Sequence, residues 1–393
     1  MTGNSSRRLR VQKAKIELNY NKILLMAIVL MPLAVSASAA PIYVDNTTTA
    51  CSSNPSSNYD PKTDTCGNGS HTVYKTFQSA ADIANPGDII IVKDGIYNEG
   101  KDYVVKINRA GTSESWITFK AENKWGAVID GGSSREGIHL GKGAKYIRIE
   151  DFEIKNVTTA IISNYISSPS YVYIYGNHIH NAATTGIYLA YVSNYFTIDS
   201  NIIHDVYTAG DSLYHGIYLS RNPSNTTIIN NIIYNIPNGW PIHLYYSDAG
   251  SVQSNTKIIN NTFADTNPNK DGHILVAAPS PNLRIENNIF YNPKTAAIQA
   301  YVSNSGQGVV VRNNLTNAGT ICIGSYCSGY TFSDNFTGTN PSFDKSSSRD
   351  YHLQQTSQAK DTGLNTNAPA LDFDGDSRPQ GAAVDIGADE YKR

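Results

Sequence analysis

Between residues 211 and 273 the chain collects side chains that can move protons and neutralise charge. Histidines stand at His215, His243 and His273, tyrosines at Tyr214, Tyr218, Tyr245 and Tyr246, cations at Arg221 and Lys270, and carboxylates at Asp211, Asp248 and Asp271. Imidazole titrates near neutral pH and suits a general base, while a phenol hydroxyl suits a proton donor. An anionic centre would be neutralised by the cations, or by a calcium ion held on the three aspartates. Tyr188 and Trp240 add flat apolar rings able to lie against a ligand.

Each residue also has a structural reading. His215 precedes Gly216 and would equally point inward to bond a backbone carbonyl. Tyr188 and Tyr218 would cover one another as a stacked ladder. Arg221 sits where a loop charge is ordinary, and "NKDG" around Lys270 and Asp271 is a good turn. The elements that carry these side chains decide between the readings.

Those elements repeat. The isoleucine of "GIYL" recurs as Ile138, Ile161, Ile187, Ile217, Ile242, Ile274 and Ile298, at intervals of 23, 26, 30, 25, 32 and 24 residues. A polar landmark follows each one, at Asp151, Asn177, Asn201, Asn231, Asn261, Asn288 and Asn314. Periods of this length mark a solenoid. Each unit reads as strand, loop, strand, asparagine turn and strand, with no helical periodicity between them. Strands this short cannot fold alone and must pair with their counterparts in the coils above and below. Asparagines stacked inside a sharp turn would hydrogen-bond along the axis and satisfy polar groups that burial otherwise strands.

Within "GIYL", strand alternation sends Ile217 and Leu219 inward and Tyr218 outward. The same outward position carries His139, Ile162, Tyr188, Tyr218, His243, Leu275 and Gln299, stacked about 4.8 Å apart. Three insertions, "YTAGDSLYH", "YYSDAGSVQSN" and "ADTNPNKDG", flank this sheet and are expected to rise as walls of an elongated groove. His139 lies far from them and is expected to be an exposed surface residue.

The chain has 393 residues, of which 16% are charged, with a formal net charge of -2. Bulk charge therefore selects neither nucleic acid nor an anionic membrane as partner. Residues 1–40 read as a signal peptide, with an apolar run from Ile23 to Val35 and small residues at Ala37 and Ala39. That run is too short, and too interrupted by Pro32, for a stable membrane span. A secreted or periplasmic monomer is expected. Four cysteines fall as local pairs, Cys51 with Cys66 and Cys322 with Cys327, and read as two short disulfide loops, although three pairings are formally open. In "DFDGD", Asp372, Asp374 and Asp376 read as a tight turn ahead of a calcium loop.

The opening "YKTFQSAADIANPGDIIIVKDGIYNE", the repeat, and the tail running from "DYHLQQ" to "DIGADEY" together resemble the right-handed parallel β-helix proteins of the pectate-lyase-like superfamily. The resemblance implies an all-β, single-stranded right-handed parallel β-helix with an N-terminal helical cap over Phe77 to Ala84 and an irregular C-terminal cap. The expected divisions are an entry segment at 41–73, the solenoid at 74–330 and a capping tail at 331–393. It also implies a polysaccharide partner, with lyases and hydrolases as the chief activities. For β-elimination on a uronate, His215, His243 or His273 would be the base and Tyr214, Tyr218 or Tyr245 the proton donor. Arg221, Lys270 or calcium would neutralise the carboxylate, and Tyr188, Trp240, Tyr246 and His273 would contact substrate. Replacing His215 or His243 by alanine is expected to abolish activity and leave thermal stability nearly unchanged.

Hydrolysis ranks below elimination, because no close acidic pair is present and the "NTDG" and "DD" signatures of polygalacturonases are missing. The "WIDH" and "RxPxxR" patterns of one pectate-lyase family are missing too, as is the arginine-containing pattern of alginate lyases. A non-catalytic carbohydrate-binding or adhesive surface protein is the alternative. A periplasmic metal-handling β-helix protein, similar to copper-site maturation factors and using His215, His243 and His273 as ligands, stands third.

Overall fold

The computed structural model describes residues 40–47, 51–163, 167–207, 214–246, 250–265, 270–302 and 308–392. The leader, Asp211, Asp248 and the middle of each inserted wall lie outside the described residues.

Runs such as "TII" and "IIY" are rich in β-branched residues but bury too little surface to stand alone. Each pairs in parallel with the same run one coil on. Thr227–Ile229 joins Lys257–Ile259, Ile232–Tyr234 joins Thr262–Ala264, and His215–Ser220 joins Ile242–Tyr245. Among the described residues this pairing, extended by the antiparallel strands Ser56–Asp60 and Thr65–Cys66 of the entry segment, builds one sheet of 14 strands and one of 16. The larger sheet has two halves, because the long strand His178–Ala190 pairs with Ile202–Val206 through its first part and with His215–Ser220 through its second. All seven repeat isoleucines pair in one register and are fully buried. They belong to a continuous apolar core that follows the solenoid.

The asparagine turn lies between the second and third strands of each coil. Asn177, Asn201, Asn231, Asn261, Asn288 and Asn314 are inaccessible to solvent. The side-chain amide of each donates 3.0 Å to the side-chain carbonyl of the next, ending on Asn335. The backbone N–H of each donates to the same oxygen, and each amide also donates to strand carbonyls, as Asn231 does to Ile198 and Ile229. The preceding residue turns the corner in the left-handed region, with φ of 54° at Asn230, 52° at Asn260 and 55° at Asn287. Asparagine tolerates that conformation better than most residues, which explains the doubled "NN".

Two boundaries shift. Asp151 belongs to the left-handed column (φ 64°), and the residue in register with the ladder is Phe152, whose N–H donates to the Asn177 side chain. The ladder reaches Asn335 and Thr331–Ser333 still pairs with Val310–Arg312, so the last coil closes a few residues beyond 330. The entry segment is also more than a loop. Ile42–Val44 is inserted as a parallel strand between His71–Tyr74 and Ile89–Val92. Both disulfides form as local pairs, Cys51 with Cys66 and Cys322 with Cys327.

The helix Phe77–Ile83 starts at Thr76, whose hydroxyl accepts the Ser79 N–H at 3.1 Å. It buries Phe77 against the rings of Tyr97, Phe119 and Phe152 and so covers apolar surface at the first coils. The C-terminal tail runs along the flank of the solenoid, packing Phe343, Tyr351, Leu353 and Ile386 on Ala264, Ile289 and Leu315. In its "DFDGD" turn, the Asp372 carboxylate accepts the N–H groups of Asp374, Asp376 and Glu390, while Asp374 pairs with His352 and Asp376 with Lys392.

His273 is part of the core. It has no solvent exposure, and its ring lies 6.2 Å from Phe263 and 6.0 Å from Phe290. Neither nitrogen has a hydrogen-bond partner among the described residues. The sequence reading that gave it substrate contact therefore places it on the wrong side of the strand. Burial pushes its pKa down to about 3.

Two measurements test these arguments. Asn231→Ala strands several buried backbone groups and is expected to cost about 2–4 kcal/mol in chemical denaturation. The solvent-side Asn255→Ala removes an exposed amide that donates to Asn225 and accepts from Asn282, at a left-handed position (φ 58°), and should cost less, about 1 kcal/mol. In the pH dependence, the unfolded chain protonates His273 below about pH 6.5 while the folded chain refuses the proton until about pH 3. Its share of stability is thus complete above that range and is lost on acidification, at about 1.4 kcal/mol per pH unit. His273→Phe should flatten the acid limb of a thermal-midpoint profile, and an unchanged slope would contradict the burial.

Candidate functional site

The outward stripe forms as the strand alternation requires. His139, Ile162, Tyr188, Tyr218, His243, Leu275, Gln299 and Ile323 are successive register partners on one half of the larger sheet. Tyr188 stacks on Tyr218 with ring centroids 5.1 Å apart, and Tyr218 stacks on His243 at 5.0 Å. Burial holds the Tyr218 phenol protonated, with its pKa pushed up to about 12, and Ser220 hydrogen-bonds it.

Beside this stack the turn "NGWP" folds over the strand ends. A side chain at Gly239 would collide with the Tyr214 carbonyl, 1.3 Å from the position of a β-carbon, so only glycine lets the backbone settle there. That approach brings the Trp240 N–H to His215 Nδ1 at 3.3 Å. His215 Nε2 in turn lies 2.9 Å from His243 Nδ1. A backbone N–H can only donate, so it assigns the tautomers: His215 carries its proton on Nε2 and gives that hydrogen bond to His243 Nδ1. The remaining proton of His243 is then on Nε2. Burial pushes the His243 pKa down to about 3, with Lys270 adding to the effect, and the His215 pKa is also lowered, by burial and then by His243 and Lys270. Both imidazoles are neutral. His243 presents a donor, and its nitrogens offer no free lone pair for the base role expected from the sequence.

Trp240 packs on Leu275 and Ala277, with its ring 5.1 Å from His243. The Lys270 ammonium stands 4.7 Å over the indole. His243 Nε2 and Trp240 Nε1 are both buried with no hydrogen-bond partner among the described residues. Tyr245 lies 5.3 Å from His243, and Tyr245 and Tyr246 are each 38% exposed. Two unpartnered donors and one cation thus belong to one cluster of rings beside the stripe.

The other expected residues divide. Tyr214 packs against the core. The Arg221 guanidinium lies 3.9 Å over the ring of Tyr191. Asp271 accepts from the Thr295 hydroxyl at 3.1 Å and stands 3.8 Å from Lys294, turned toward the next coil. It is the one described member of the Asp211, Asp248 and Asp271 set, and it does not by itself make a calcium shell. His139, expected to be exposed, is 7% exposed and bonds Glu136 at 2.6 Å.

A second histidine cluster was not anticipated. His178 Nε2 lies 2.8 Å from His204 Nε2, His204 Nδ1 donates to Asp205 at 2.8 Å, and His180 Nε2 donates to Glu153 at 3.0 Å. His180, His204 and Tyr234 all stand three residues after a ladder asparagine, a column visible once the repeat is aligned on that residue. It sits on the other half-sheet, toward the tail, where Tyr351 packs on Tyr234. Here the carboxylates satisfy the imidazoles, in contrast to the unpartnered nitrogen at His243.

His215 and His243 are 2% and 6% exposed, so truncating either one opens a cavity and breaks the chain of hydrogen bonds. The expectation that alanine leaves stability untouched does not fit that burial. His215→Ala is expected to lower stability by about 1–3 kcal/mol, and a thermal midpoint equal to wild type would show that the dyad does not support the turn.

The model for "Right handed beta helix region" matches residues 94–263 and 160–337, more than half of the chain. No curated protein matches the sequence. Among solved structures, the pectate lyase Pel9A aligns with a TM-score of 0.55 at 14% identity, over 90% of this chain and 97% of that one. An alginate lyase from Paenibacillus sp. str. FPU-7 aligns at 0.43 and 19% identity, over 80% of this chain and 96% of that one. PfbA, a surface adhesin of Streptococcus pneumoniae, aligns at 0.42 and 14% identity, over 64% and 61%. At these identities the likeness to Pel9A speaks for the fold, in agreement with the parallel coils described above. The chain belongs to the right-handed β-helix family.

Proposed function

We propose that the protein binds a uronate-containing polysaccharide along the outer stripe and cleaves it by β-elimination. The observation that supports this reading is the cluster of His243, Trp240 and Lys270 beside the outer stripe: the ammonium stands 4.7 Å over the indole, the two rings lie 5.1 Å apart, and His243 Nε2–H and Trp240 Nε1–H have no hydrogen-bond partner among the described residues. A uronate carboxylate supplies the acceptors that these donors lack, and the nearby cation offsets its charge. The ring edges of the Tyr188–Tyr218 stack and the exposed ring of Tyr245 give apolar surface against which sugar rings can lie.

Elimination removes the proton on the carbon next to the carboxyl group, and the electron pair expels the glycosidic oxygen, which takes up a proton. Hydrogen bonds to the carboxylate stabilise the charge that develops there. In this reading His243, Trp240 and Lys270 take that stabilising part, with His215 positioning His243. Proton exchange falls to Tyr245, exposed beside the cluster: its phenolate takes the carbon-bound proton, and the phenol so formed gives that proton to the departing glycosidic oxygen.

One observation favours a second reading, that of a non-catalytic glycan-binding protein. The dyad's tautomer leaves the groove's two described histidines without an accepting nitrogen, so neither one abstracts a proton.

The deciding assay follows the absorbance of the conjugated, unsaturated uronate during incubation with pectate, alginate, glucuronan or glycosaminoglycans, with and without calcium. A rise on one polymer is expected, falling about a hundredfold or more in Tyr245→Phe and Lys270→Ala. No rise on any polymer, with reducing ends unchanged, would overturn cleavage and leave the binding reading.

A further inference from the structure

The outward stripe continues past His243, and its character changes. Two coils on Gln299 occupies the outward stripe, and three coils on Ile323 does. A cavity of about 320 Å³ opens over Gln299, bounded by Tyr301 and by the segment carrying Gly324 and Tyr326. A second cavity of about 510 Å³ shares Tyr301 and Tyr326 and extends to Tyr246 and Ser251. Tyr301 is 61% exposed and Tyr326 41%, among the largest apolar surfaces the described residues leave in water.

Local structure holds these rings in place before any ligand arrives. The Cys322–Cys327 disulfide spans 6.1 Å between α-carbons and closes the short loop that carries Tyr326. Gly324 adopts φ of +108°, and a β-carbon there would lie 2.3 Å from the Ala300 carbonyl, so the loop backbone rests directly on the strand beneath. The Tyr301 N–H is tied to the Val276 carbonyl at 2.9 Å. Rings mounted on tethered backbone lose little freedom on binding. Between them, the side-chain oxygen of Gln299 is buried and has no hydrogen-bond partner among the described residues.

Among the described residues that line either cavity, none is charged. A carboxylate brought here would surrender its water and meet no cation in return, which is costly. A neutral sugar ring can lay its C–H face on the phenols and give a hydroxyl proton to Gln299. We propose that this end of the groove is a subsite for an uncharged, hydroxyl-rich sugar residue, built from Gln299, Tyr301 and Tyr326. The inference rests on the polysaccharide reading above and makes the polymer a mixed one. Its charged unit sits at His243 and Lys270, and an uncharged unit lies two coils, about 9.6 Å, farther along.

Titration calorimetry on the full chain tests this. The probes are uncharged hexasaccharides of glucose, xylose, mannose and galactose, together with oligogalacturonate and oligomannuronate. The proteins are wild type, Gln299→Ala, Tyr326→Ala and His243→Gln, with thermal midpoints measured to confirm folding and Tyr326→Phe as the conservative control. At least one uncharged probe is expected to bind, about tenfold more weakly in Gln299→Ala and Tyr326→Ala and unchanged in His243→Gln. If only the uronates bind, the subsite is wrong and the reading of the His243 cluster stands. Neutral binding that neither groove variant weakens also overturns the subsite. Neutral binding lost in both variants, with no uronate bound, supports the subsite and sinks the uronate reading. Binding of no probe overturns both.

Discussion

The buried asparagine ladder is the interaction on which the rest of the molecule depends. A coil that turns as sharply as this one exposes backbone donors and acceptors to an apolar interior, where each unpaired group is costly. The side chain of Asn231 meets that demand in both directions at once, accepting from the coil before and donating to the coil after. The ladder works only if neighbouring coils sit one strand spacing apart, so it imposes the same register that the parallel sheets require. The left-handed residue just before each ladder position is the conformational cost of that corner, of order 1–2 kcal/mol for most residues and less for asparagine.

The same spacing dictates what happens on the outside. Side chains at one outward position are forced into contact, so Tyr188, Tyr218 and His243 stack whether or not they have a task. An ordered aromatic face is therefore a by-product of the solenoid, and chemistry enters where the pattern is interrupted. The turn at Gly239 is such an interruption. It places a backbone donor on His215, and that one contact sets the proton positions of two imidazoles. The second histidine cluster shows the contrast: Asp205 and Glu153 take the protons of His204 and His180, and the network is closed. At His243 it is open.

Much of this was visible in the residues themselves. The isoleucine and asparagine periods placed the strands, the stripe and the walls in a common register, because a solenoid repeats its packing and so repeats its sequence. The reading slipped where one residue decides direction. Asp151 was taken for a ladder position, yet its neighbour Phe152 holds that place, since a hydrophobic ring can fill a ladder column at its end. His273 was taken for a groove residue because it stands just before the repeat isoleucine, and a one-position change in alternation turns its ring into the core. His180 and His204 were overlooked because the outward column was followed only along the isoleucine strand, not along the strand after each asparagine.

What the sequence determined by itself is the architecture: short β-branched strands, a period near one coil, and doubled asparagines permit little else, since each must find its partner in a copy of itself. Tertiary structure alone decided which histidines share a proton and which nitrogen holds it. It also decided that Trp240 and Lys270 come to lie over the strand carrying His243, and that a disulfide loop sets Tyr326 beside Tyr301. Those contacts join residues on different coils or loops through single hydrogen bonds and close backbone approaches. Repetition records the coil, but a tautomer is recorded only by the atoms that face it.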